Sequence, residues 1–296
     1  MPEQAEGLSL KQGNALFADC VAFAKPFIAS GDIDPAYPVL KAIISKLGLS
    51  EEAAIWLLVL YAAFYDVGSG LVAYRDVSSS QALKHCPPLF LRSLNIAHER
   101  RNLFGGRILR HLETWAALAP LAIYLRSNTC AEFWGKVRLV YGNGRWAAFK
   151  LSELFCAVLG WPLKAEAVML AESEGPRLGL ALFEGKGWVG EAGLVRFQEA
   201  LSGALGAPLS LEQAETVLCD FHGLVKGRYY VGHDIDKMQA QIESAPLTLF
   251  DKRLLYGARA ATLDNRYLGE LQGWYGPSKE LKRAYRATGL IKAQLT

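Results

Sequence analysis

At 296 residues, half of them hydrophobic and about a fifth charged, the chain is excluded from the disordered class and has material for one large domain or two modest ones. Its five cysteines (20, 86, 130, 156 and 219) are scattered, odd in number and free of any C-x-x-C. That pattern argues against a disulfide framework, a structural zinc or an iron–sulfur cluster. The net charge of +3 is unevenly spread: from Asp251 onward there are nine Lys/Arg against four Asp/Glu, and Arg92, Arg100, Arg101, Arg107 and Arg110 form a second basic cluster. Local basic surfaces on a near-neutral chain suit a polyanion held at a defined place.

The longest apolar runs, Ala53–Tyr65 and Trp115–Leu125, are too short to span a bilayer. The N-terminus carries Glu3 and Glu6 and lacks the basic and apolar stretches of a secretory signal. The five histidines show no H-x-x-x-H or H-E-x-x-H spacing. The sequence therefore predicts a cytoplasmic protein with no membrane partner, no metal site and no cofactor.

Taken in chain order, the predicted elements are almost all helices. Ser50-Glu51-Glu52 supplies an N-cap and an acidic first turn for a helix over Ala53–Tyr65, which Gly68-Ser69-Gly70 interrupts. Pro87-Pro88 ends the next segment. Arg100–Leu118 reads as helical around Gly105-Gly106, and Pro120 breaks or kinks the chain beyond it. Glu132–Val140 forms a helix that leads into the turn Tyr141-Gly142-Asn143-Gly144. A further helix runs from Arg145 to about Leu159 and stops at Gly160-x-Pro162. Residues 177–206, rich in glycine, read as an irregular insertion or as short strands. Ser210-x-x-Gln213 is a capping box, Asp234 or Asp236 caps a helix to Glu243, and Pro277 opens a basic helix over Lys279–Arg286. The fold class is mainly α. One helical domain covers 1–296, divisible into two lobes about a hairpin at 141–146.

The glycine turn is the first place where chemistry is expected. Asn143 tolerates positive φ, the two flanking glycines allow a tight turn, and the unpaired N–H groups of the next helix suit a phosphate. Arg145 adds a full charge beside them. Trp146 is placed either to stack on a base or to pack in the core, and Lys150 lies a turn and a half along the helix. The second place is His98-Glu99-Arg100-Arg101-Asn102, where adjacent guanidiniums can grip phosphate oxygens and Glu99 can orient one of them or act as a base. The third runs from Cys219 to Asp236. Lys226 and Arg228 there can bind anions, Tyr229 or Tyr230 can stack on a base, and Asp234 or Asp236 can accept a proton or cap a helix. A softer feature is Tyr61–Gly70, whose aromatic residues lead to an acid and small residues that can line a pocket.

A glycine turn between helices resembles the hairpin of helix-hairpin-helix DNA glycosylases, in which the turn holds a DNA phosphate and a base is flipped into a pocket. The catalytic Asp of glycosylases is missing at the corresponding distance, where the chain reads Leu163-Lys164-Ala165-Glu166. The combination of Trp56, Tyr61, Tyr65-x-x-Gly68-Ser69, Glu99-Arg100-Arg101, Gly144–Lys150 and Cys219–Asp236 is more similar to a related group. That group comprises the bacteriophage enzymes of thymidine hypermodification: the amino acid:DNA transferases and the α-glutamyl/putrescinyl-thymine pyrophosphorylases. The resemblance implies DNA carrying 5-(pyrophosphooxymethyl)uracil as substrate, and an amino acid, glycine among them, or a polyamine as donor, in a phage-infected cell. It also implies roles. Arg100, Arg101, Lys226 and Arg228 would hold the leaving pyrophosphate, and Glu99, Asp236 and Lys150 would serve the chemistry. Gly142, Asn143, Gly144 and Arg145 would anchor DNA, and Trp146 and Tyr229 would stack on the flipped base. The alternatives are a divergent glycosylase of the same fold and a non-catalytic helical DNA-binding module.

Overall fold

The computed structural model describes residues 3–85, 89–97, 102–183 and 186–263, and among them the chain is helical with no strand. The helices in chain order begin with α1 (Glu3–Ala29), α2 (Ala36–Leu47), α3 (Glu51–Phe64), α4 (Val67–Asp76) and α5 (Ser80–His85). They continue with α6 (Gly106–Ala117), α7 (Leu121–Tyr124), α8 (Cys130–Arg138) and α9 (Arg145–Leu154), the last extended by a π-turn over Phe155–Leu159. The remainder are α10 (Glu174–Ala181), α11 (Gly190–Leu205), α12 (Leu211–Val225), α13 (His233–Ser244) and α14 (Leu249–Thr262). The mainly α class expected from the pattern is what the chain adopts. No described helix is long and apolar enough to cross a membrane. Pro87-Pro88 and the basic segment Lys279–Arg286 lie outside the described residues.

Two compact units divide the chain: one takes the residues up to Asp34 and Ala165–Ile235, the other Pro35–Lys164 and Asp236–Leu263. The second unit is organised around α3. Every residue from Ala54 to Phe64 is buried, so the helix is hydrophobic on all sides. It packs against α4, α6, α7 and α9. Its start lies at the surface and its end lies inside the unit. At its start Ser50 accepts from the Ala53 N–H, as the sequence predicts, and Glu52 reaches out to take the N–H groups of Leu121 and Ala122 at 2.7 Å each, capping α7. At its end Tyr65 turns into the left-handed region at φ 47° and Asp66 opens α4 by accepting from the Ser69 N–H. The glycines at 68 and 70 thus lie inside α4, where the sequence suggests a break. Their use is closeness: a Cβ at Gly68 would stand 2.5 Å from the Gln241 carbonyl oxygen on α13.

Glycine serves close packing in residues 177–206 as well. Contrary to expectation, that stretch is neither irregular nor stranded, since α10 and α11 occupy most of it. Gly179 lets α10 approach α12 so closely that a Cβ would overlap the Leu218 carbonyl oxygen, and a Cβ at Gly175 would meet Cys219 Sγ at 2.7 Å. Between these helices and α1 lies an aromatic core in which Phe183 stacks on Phe197 and Phe221 and meets Phe17 and Trp188. The capping box Ser210–Gln213 forms as predicted and starts α12. Gly179→Ala is expected to destabilise the protein by about 1–3 kcal/mol through overpacking, read as a lower urea midpoint.

Candidate active site

In the second unit the turn between α8 and α9 is held from behind. Asn102 Nδ2 donates to the Gly142 carbonyl at 2.9 Å, and His111 Nδ1 lies 2.6 Å from the Tyr141 carbonyl. Because His111 Nε2 accepts from Trp115 Nε1, the Nδ1 nitrogen carries the proton and is the donor to Tyr141. Asn143 folds back so that its Nδ2 donates to the Val137 carbonyl near the end of α8. Gly142 has φ 81°, which favours glycine, and a Cβ there would lie 2.6 Å from Leu103 Cδ2 and have to displace that methyl group. Gly144, the exposed N-cap of α9, offers no side chain to the first-turn N–H groups.

Helix α9 carries its two basic residues inward. Arg145 is 7% exposed and its guanidinium lies 4.4 Å from the Phe149 ring centre. Lys150 is 8% exposed and forms an ion pair with Glu153 at 2.8 Å, and Tyr37 donates its hydroxyl to the same carboxylate oxygen. Trp146 between them is half-buried and stands edge-on to Tyr65 at 4.8 Å, so it packs on an aromatic neighbour while keeping part of its surface open. Tyr61 and Tyr65 are 5.6 Å apart, and Lys237 Nζ lies 5.6 Å over the Tyr65 ring.

The corner Tyr65-Asp66-Val67 is clamped by Gln241, which accepts from the Val67 N–H and donates to the Tyr65 carbonyl. Burial raises the Asp66 carboxyl above the usual range, opposed by hydrogen bonds from Ser69 and Gly68 and by the charge of Lys237. The structure therefore brings Trp146 of α9 against the Tyr61–Asp66 corner, and it adds Lys237 and Gln241, which carry no motif. Asp236, half-buried, directly precedes Lys237 in the first turn of α13.

In the first unit the loop after α12 places Lys226 and Arg228 in solvent. Tyr229 is half-buried against Phe23, Phe27 and His233, and its hydroxyl donates inward to Asp32 at 2.9 Å, which fixes the ring. Asp32 is wholly buried and also accepts from the N–H groups of Gly232 and Ile235, at 2.8 and 2.9 Å. The start of α13 is thus capped from a distance. Asp234 and Asp236, the predicted caps, both lie within the helix, and Asp234 contacts His233 Nδ1 at 2.9 Å. No local pattern signals Asp32, because its partners lie some two hundred residues on. Glu99, Arg100 and Arg101 lie outside the described residues. Among the described residues no three His, Cys, Asp or Glu side chains are grouped to hold a metal ion.

Residues 126–230 match the model of the amino acid:DNA transferase family. The match supports the resemblance read from the motifs. The amino acid:DNA transferase match takes in about a third of the chain, from the approach to α8 to Tyr230. It contains the glycine turn, Arg145, Trp146, Lys150, Lys226, Arg228 and Tyr229, and it leaves Asp32, Glu99–Arg101 and Asp236 outside. No curated protein matches the chain.

Burial, and next the charge of Asp234, push Asp32 up to about 7 from its ordinary 3.8. The folded protein therefore keeps a proton that the unfolded chain releases at lower pH. The stability tied to that proton is complete below about pH 3.8 and is lost as pH rises through about 7. Asp32→Asn is expected to flatten the fall in Tm across that window, in melts of both proteins at matched ionic strength.

Proposed function

We propose that the chain is an amino acid:DNA transferase which joins an amine to a thymine derivative in DNA and displaces pyrophosphate from 5-(pyrophosphooxymethyl)uracil. The observation that carries this reading is the family match laid over the glycine turn and α9, where Arg145 and Lys150 are buried beside Trp146. The pinned turn, with a glycine N-cap that puts no side chain over the start of α9, supports anchoring of a DNA phosphate in the manner of helix-hairpin-helix proteins.

The reaction breaks the bond between the C5-methylene carbon and the pyrophosphate oxygen, and the electron pair leaves with pyrophosphate. The electrophilic methylene left behind accepts the lone pair of the amine, forming the new C–N bond. The donor enters as an ammonium ion, so one proton passes from its nitrogen to a base before attack, and Asp236 or Glu99 takes that role in this reading. Arg100, Arg101, Lys226 and Arg228 are assigned to the departing pyrophosphate, with Lys150 assisting the chemistry. Trp146 and Tyr229 are assigned to the displaced base. Gly142, Asn143, Gly144 and Arg145 are assigned to the DNA backbone.

The test is mass spectrometry of nucleosides from DNA containing pyrophosphorylated 5-hydroxymethyluracil after incubation with the protein and a mixture of amino acids and polyamines. A new adduct, whose mass names the donor, is the expected result. Base loss without an adduct would indicate a glycosylase, and unchanged DNA that is nonetheless bound would indicate a binding module. Asp236→Asn is expected to lower turnover by about a hundredfold or more while DNA affinity holds. Gly142→Ala is expected to do the reverse, weakening DNA binding about tenfold (~1.4 kcal/mol) in titrations at fixed salt.

A further inference from the structure

Helices α13 and α14 carry buried polar groups that the glycine turn does not use. Arg259 on α14 is 1% exposed, and its Nε and Nη2 atoms are buried without a hydrogen-bond partner among the described residues. These two nitrogens form the side edge of the guanidinium, the pair of parallel donors that matches the two oxygens of a carboxylate. Arg75, by contrast, uses its own Nε and Nη2 on Asp251.

Gln239 on α13 is 4% exposed. Its Nε2 donates to Glu243 Oε1 at 2.5 Å and reaches the Tyr256 hydroxyl at 3.5 Å, one helical turn before Arg259. The contact with a carboxylate settles which end of the amide is nitrogen, so the atom left without a partner among the described residues is the acceptor Oε1. Asp236, one turn before Gln239, is the strongest in influence of the acidic groups acting on Arg259, followed by Tyr256 and Glu243. Burial nevertheless dominates and draws the guanidinium down to about 10.

An unmet pair of cationic donors on α14 and an unmet neutral acceptor on α13, with a carboxylate acting on the guanidinium, are complementary to a zwitterion. We propose that the side edge of Arg259 grips the α-carboxylate of the amino-acid donor, while Gln239 Oε1 and Asp236 receive its ammonium. The proposal rests on the transferase reading and narrows it. A polyamine has no carboxylate for Arg259, and a phosphate or pyrophosphate would be repelled by Asp236 and Glu243. Arg259 is 1% exposed, so the proposed binding includes a local opening at this edge. A buried guanidinium with unmet donors weakens the fold, and replacing it with an apolar residue of similar volume relieves that strain.

The test uses the full chain and two measurements. In thermal melts, glycine and alanine at millimolar concentration are expected to raise Tm, whereas ethylamine, putrescine, acetate and pyrophosphate leave it unchanged. Arg259→Met is expected to melt higher than the parent without ligand and to lose the response to amino acids. Arg259→Lys, which keeps charge but lacks the paired edge, is expected to weaken that response at least tenfold in concentration. A response to putrescine or pyrophosphate equal to that of glycine, an unaltered glycine response in both variants, or no response of the parent with or without DNA would overturn the assignment. Adduct formation on DNA separates the two claims. If the parent makes adducts and Arg259→Lys does so with unchanged KM for the amino acid, the site is wrong and the transferase reading stands. If amino acids bind through Arg259 and no adduct forms on pyrophosphorylated DNA, the site stands and the transferase reading falls.

Discussion

Helix α3 is buried along almost its whole length, and this dictates much of the structure around it. A helix without a solvent face along its length gains from every apolar side chain, but the groups at its inner end must find partners inside the protein. At the first turn the partners come from Ser50, and Glu52 extends outward to order α7. At the last turn the chain cannot continue straight, and Tyr65 adopts a left-handed conformation that a bulky residue takes only when its surroundings hold it there. Asp66 and Gln241 supply that hold, from opposite directions in sequence. The ring of Tyr65 is thereby set against Trp146 and Lys237, so the end of the central helix fixes the aromatic wall of the candidate site.

Among its described residues the second unit has three buried cations in three different circumstances. Arg145 is screened by an aromatic face, and Lys150 is neutralised within its own helix by Glu153. Arg259 has carboxylates near enough to act on it, yet its paired edge meets none of them among the described residues. The first two arrangements offset much of the desolvation penalty locally, whereas the third leaves the penalty standing. A fold that holds charge in this way keeps part of its electrostatic stabilisation in reserve for a molecule that arrives from outside.

The features that the sequence discloses and those that it conceals divide on physical lines. Caps formed within one turn, such as Ser50 and Ser210-x-x-Gln213, are written in neighbouring residues and are legible, as is the helical period from Arg145 to Leu159. The hairpin turn is legible because Gly142 takes a positive φ that favours glycine. Glycines that serve close packing look the same in sequence as glycines that serve turns, and for that reason Gly68 and the 177–206 stretch mislead. Long-range partners leave no local pattern, so Asp32, Gln241 and Arg259 are invisible. Asp234 and Asp236 draw attention as caps although the cap comes from elsewhere. The placement of Trp146 between packing and exposure can be posed from sequence, and only the fold answers it.

The distant cap at the start of α13 also bears on how the chain is made. Asp32 and the Ile235 N–H that it receives are separated by 203 positions, so a growing chain completes the first helix and the turn beyond it long before the residues that Asp32 must bind exist. Until they emerge, a carboxylate destined for the interior remains in water, charged and solvated. Loop closure across most of the chain must precede that contact, which places it among the late events of folding. The order of synthesis thus leaves the joint between the end of the first helix and the start of α13 to be made late, by a single buried carboxyl group.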